Sequence, residues 1–79
     1  MTILAVDIGN TSIHAGLFEG QRLRRRLSLP TPLERQPAVL RRRLARLGRG
    51  AAQAIICSVV PWATPRVVRA LRAAGCPRV

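Results

Sequence analysis

Polar chemistry is densest at Asp7-Ile8-Gly9-Asn10-Thr11-Ser12, close to the start of the chain. Gly9 has no Cβ, so an anion can approach its backbone closely. Successive backbone N–H groups in such a bend form an anion-binding concavity. Asn10, Thr11 and Ser12 add side-chain donors. Asp7 cannot attract phosphate by charge, but it can order Mg2+ or a metal-bound water beside one. A donor-rich bend with a carboxylate at its lip suits a nucleotide whose phosphates carry Mg2+. The same residue types also make a plain hairpin bend, and by themselves they leave that alternative open. No GxxxxGK[ST] loop and no GxGxxG is present.

The other reactive residue types resolve toward structure. Ser58 has no histidine or acid placed to activate it by any sequence signature. Cys57 reads as a small core residue, and Trp62 as a cover for the sheet end. With no CxxC and one histidine, Cys57 and Cys76 make neither a disulfide scaffold nor a structural zinc site.

These residues sit in a chain of 79 residues, short for an independent core. Hydrophobic content of 48% excludes a wholly disordered tail. Aromatic content of 3%, Phe18 and Trp62 alone, argues against base-stacking platforms for single-stranded nucleic acid. The net charge is +11, and all 14 basic residues are arginine. A polyanion partner and a merely solvated surface both fit that charge. The start of the chain lacks a basic leader region, and no run approaches a membrane span. A cytoplasmic location with free thiols is the expectation.

The elements that must position the bend follow from periodicity. Thr2 to Ile8 reads as a central strand covered on both faces. Gly9-Asn10 reads as a two-residue hairpin turn, and Thr11 to Phe18 as the second strand. Gln21 to Leu29 is a third, with Leu23, Leu27 and Leu29 on one face and Arg22, Arg24 and Arg26 on the other. Arg25 breaks that alternation, and the charge suits a sheet edge. Thr31 with Glu34 matches a capping box, but Pro37 would disrupt a helix begun there, so the regular helix starts at Pro37. Leu40, Leu44 and Leu47 mark its inner face, and Gly48 its end. Gln53 to Val60 reads as a buried strand. A helix opening at Thr64-Pro65 follows, with Val67, Val68, Leu71 and Ala74 apolar and Gly75 closing it. The order β-β-β-α-β-α predicts an α/β fold, a mixed sheet with helices packed on it. A parallel strand followed by a helix expects a further partner strand, so residues 1–79 read as the N-terminal part of a larger domain, incomplete at the C-terminus.

Asp7-Ile8-Gly9-Asn10-Thr11-Ser12 after an N-terminal apolar strand, with Ser58-Val59-Val60-Pro61 ending a later one and Leu71 to Pro77 (LRAAGCP) beyond, resembles the type III pantothenate kinases. The resemblance covers the whole chain. It implies a ribonuclease-H-like fold within the superfamily of acetate kinases, sugar kinases, heat-shock chaperone ATPases and actin. It also implies transfer of the γ-phosphoryl group of ATP to pantothenate, the first step of coenzyme A synthesis. Mg2+, a monovalent cation (K+ or NH4+) and a cytoplasmic homodimer come with it. Asp7 to His14 would form the ATP-phosphate loop, Ile8 and Ile13 through backbone only. His14 stands where the family often has lysine, and a neutral imidazole supplies less positive charge. Phosphate contact and a partly buried strand position both remain open for it. The family's GxDR segment, which carries the expected general base, is absent, and so are the second phosphate motif and the cation site. No catalytic residue is therefore assigned, and the 79 residues alone are expected to be inactive. A non-catalytic regulatory relative and a basic nucleic-acid-binding module are the alternatives. The scattered arginines favour at most non-specific nucleic-acid contact.

Overall fold

A computed structural model describes Thr2–Pro30 and Gln36–Cys76. The elements run β1 (Thr2–Ile8), β2 (Ser12–Glu19), β3 (Arg22–Pro30), α1 (Pro37–Leu47), β4 (Gln53–Ser58) and α2 (Thr64–Ala73). This is the predicted β-β-β-α-β-α order. The capping box at Thr31 and Glu34 lies outside the described residues.

The strands form one mixed sheet in the order β3-β2-β1-β4. The first three meander antiparallel, while β4 lies parallel to β1 on its other side. A parallel neighbour cannot be reached by a tight turn, so the chain crosses over through α1. That helix starts at Pro37, where the missing N–H costs nothing, and stops where the Gly48 N–H donates to the Leu44 carbonyl at 2.8 Å. The β2–β3 turn uses Gly20 at φ 60°, a conformation open to glycine at no steric cost.

Alternation divides each strand between two faces. Leu4, Val6 and Ile8 of β1 and Ile13, Ala15 and Leu17 of β2 are buried on one face. They pack with Leu40, Leu44 and Leu47 of α1 and with Val67, Ala70 and Leu71 of α2 in a single core. The opposite face is not covered by any described element. Asp7 and Cys57 are exposed there, and Ile55 is 54% exposed. This corrects the expectation of strands buried on both faces, and with it the reading of Cys57 as a core residue. A continuous apolar run shows that both faces are greasy, not that both are covered. Trp62 is 65% exposed, so most of its ring faces solvent instead of closing the sheet end.

The third strand holds another correction. A β-bulge between Leu17 and Phe18 of the partner strand leaves Arg24 without a partner in the register. It shifts Leu23 onto the open face, opposite Phe18, and sets Arg25 opposite Leu17. Leu23 therefore leaves the face of Leu27 and Leu29. The Arg25 guanidinium instead donates to the Arg46 carbonyl at 3.4 Å, in the last turn of α1. A cation there faces the negative end of the helix dipole.

Candidate functional site

The bend between β1 and β2 lies at one end of the sheet. Register pairs Asp7 with His14 and Ile8 with Ile13, and the Gly9 N–H donates to the Ser12 carbonyl at 2.9 Å. The centre of the bend is thus Asn10-Thr11, one residue later than the expected Gly9-Asn10. Pairing Ile8 with Ile13 buries both side chains, and no non-glycine residue among those described has positive φ, so the primed hairpin turns are excluded. Gly9 earns its place by proximity instead: a Cβ there would sit 3.2 Å from the Ser12 carbonyl oxygen.

The Gly9 amide is committed within the hairpin, which narrows the anion-binding surface. Among the described residues, nothing engages the backbone amides of Asn10 and Thr11. Asn10, Thr11 and Asp7 are exposed, and Ser12 is half-buried. Ile8 and Ile13 point into the core and offer backbone alone.

The parallel strand completes this end. The Val59 N–H donates to the Ile8 carbonyl at 3.1 Å, holding the segment after β4 against the end of β1. Ser58 Oγ accepts from the Val60 N–H at 3.0 Å and lies 3.2 Å from the Val60 carbonyl, to which it donates. Ser58 therefore folds the chain at the strand end, as its sequence context suggested. The carboxyl ends of β1 and β4 meet here, beside the point where strand order reverses. Open α/β sheets bind ligands outside such ends.

On the open face, Ser28, His14, Asp7 and Cys57 stand in one row across β3, β2, β1 and β4. They line a hollow of about 670 Å³. His14 is exposed, which removes the buried-strand reading and leaves its ring facing the hollow. Sequence reasoning missed Ser28 and Cys57 as neighbours of Asp7. Nothing local could reveal them, because only the register brings distant strands level.

Asp7 is the carboxylate at this end of the sheet; Glu19 pairs with Thr2 at the other. No group of three or more potential metal ligands occurs among the described residues. A protein-built metal cage is thus excluded there, while Mg2+ shared between one carboxylate, water and phosphate oxygens fits. No helix among the described residues is long and apolar enough to cross a membrane.

A mixed sheet of this order with helices on one face is the ribonuclease-H-like architecture that kinases of the sugar-kinase superfamily share. A hexokinase of the ROK class from Thermus thermophilus matches 99% of this chain at 26% identity and TM-score 0.73. The RuvC structure of Thermus thermophilus matches 99% at 20% identity and TM-score 0.72, a likeness of fold. The sequence profile of the type III pantothenate kinases matches residues 3–78, and the chain belongs to that family. It spans 59% of the RuvC chain and 32% of the hexokinase chain. No curated protein sequence matches it.

Proposed function

We propose that this chain is the N-terminal ATP-phosphate-binding part of a kinase that phosphorylates pantothenate. The observation that carries the reading is the pairing of an exposed Asp7 with the open amides of Asn10 and Thr11 at the carboxyl end of β1. Asn10, Thr11 and Ser12 would hold the phosphates through backbone and side-chain donors, with Gly9 keeping the approach open. Asp7 would orient the water shell of Mg2+, and bound Mg2+ would offset charge on the phosphates. His14 would lie beside them, its ring donating from the next strand. In the transfer, the hydroxyl oxygen of pantothenate would bond to the γ-phosphorus, its proton passing to a general base, as the bond from that phosphorus to the β–γ bridging oxygen breaks and ADP leaves. Phosphoryl transfer relies on positioning and electrostatics, and this chain supplies the part nearest the phosphates. The general base, the pantothenate surface and the monovalent cation are assigned to no residue here. Homodimerisation and a cytoplasmic location belong to the same proposal and rest on family membership.

The test is amide-resolved NMR of the chain titrated with MgATP. Shifts concentrated at residues 7–14 and 58–60 are expected. Saturable binding that leaves those amides unmoved would refute the assignment.

A further inference from the structure

The helix layer carries a second kind of chemistry, on the face of the sheet opposite Asp7. Neither α1 (PAVLRRRLARL) nor α2 (TPRVVRALRA) contains an acidic residue. A groove of about 790 Å³ runs between them, floored by Ala38, Ala70 and Ala73 and walled by Arg41, Arg66 and Arg69. Arg69 also borders an adjoining hollow, between α2 and β4, where Arg72 joins it. The two hollows thus share one arginine, and Arg41, Arg69 and Arg72 fall along a single basic track.

Helical spacing produces this. Arg66, Arg69 and Ala73 lie one turn apart in succession on α2, while Val67 and Leu71 turn to the core. The small floor lets a ligand approach the helix backbones. Guanidinium groups bind phosphate in a fixed bidentate fork. Neither hollow is lined by an aromatic side chain, so unpaired bases find no stacking platform within them. A track of repeated cations without such platforms matches a regularly spaced phosphodiester backbone.

We propose that the α1–α2 face is a docking surface for double-stranded nucleic acid, contacted through its phosphates without sequence preference. The surface lies on the helix layer, and its second hollow reaches Ser58 at the end of β4, beside the proposed ATP loop.

The test uses fluorescence anisotropy with a labelled duplex of arbitrary sequence at several salt concentrations. The combined variant Arg41→Gln, Arg69→Gln and Arg72→Gln is compared with Arg22→Gln, Arg24→Gln and Arg26→Gln on β3. Both lose the same charge, and circular dichroism with thermal melts reports that each remains folded. The salt slope is expected to fall by about 1 for each phosphate-contacting arginine removed in the helix variant, and its affinity by roughly tenfold or more at low salt. The β3 variant should stay near wild type. Should a variant unfold, the single substitutions Arg69→Gln and Arg24→Gln give the same comparison. Equal losses from both faces would overturn the proposal, because net charge alone would then account for binding. So would absence of duplex binding at low salt, preference for single strands, or equal binding of polyglutamate, which would identify an acidic protein as the partner.

Discussion

Replacing Asp7 by asparagine separates a phosphate-site carboxylate from an ordinary turn residue. The side chain is exposed, and no hydrogen bond or ion pair ties it to another described residue. Exposed substitutions of this kind change stability by about 0.5 kcal/mol or less, so Tm should move by no more than ~2–4 °C in a domain this small. Binding should respond far more. With Mg2+ about 5 Å from the carboxylate across one water, Coulomb attraction at the dielectric constant of water is roughly 1.7 kcal/mol. The loss of MgATP affinity in Asp7→Asn is then at most ~16-fold, since relief of the repulsion between Asp7 and the phosphates offsets part of it. The sign must reverse without metal. Asp7 repels bare triphosphate, so in excess chelator the variant should bind ATP more tightly than wild type. Calorimetric titrations with and without Mg2+, alongside thermal melts, measure all three effects. A folded variant with wild-type affinity in both conditions would refute the placement of Asp7 at the phosphates.

Gly9→Ala places a methyl group 3.2 Å from the Ser12 carbonyl; a stability loss of ~1 kcal/mol together with weaker MgATP binding is expected from urea melts and titration. Leu44→Ala empties a nearly fully buried site in α1. It should cost ~2–5 kcal/mol against a total of about 4–12 kcal/mol for a chain this long, read from chemical denaturation. Pantothenate-dependent ATP turnover by the 79 residues should be absent in a coupled assay. Among the described residues no second carboxylate stands near Asp7, and a positioned general base is worth ~10²–10⁴-fold.

Local signals made much of this legible. The bounds of β1, the start of α1 at Pro37 and the inner face of Leu40, Leu44 and Leu47 follow from period and punctuation, and the structure has them so. The bend residues were recognisable by type. What escaped depends on partners. Leu23 changes face because of an unpaired residue in β3, and a bulge leaves no composition signature. Ile55 and Cys57 stand open because cover is a property of neighbouring elements. The row of Ser28, His14, Asp7 and Cys57 exists only through register.

The parallel seam also sets an order of assembly. Turns of a few residues join β1, β2 and β3, so this meander closes through short loops. β1 meets β4 only across the whole of α1, pairing Ile3 with Gln53 and Ile8 with Ser58. Contacts so distant in sequence carry the larger closure entropy and form late. On a ribosome the meander can take shape while β4 is still in the exit tunnel, with one edge of β1 unpaired. The bond from Val59 to Ile8 must wait for β4 to arrive. The ligand-facing end is therefore finished only when β4 has paired, and a nucleotide that needs both walls would bind only chains in which that strand is in place, drawing the equilibrium toward them.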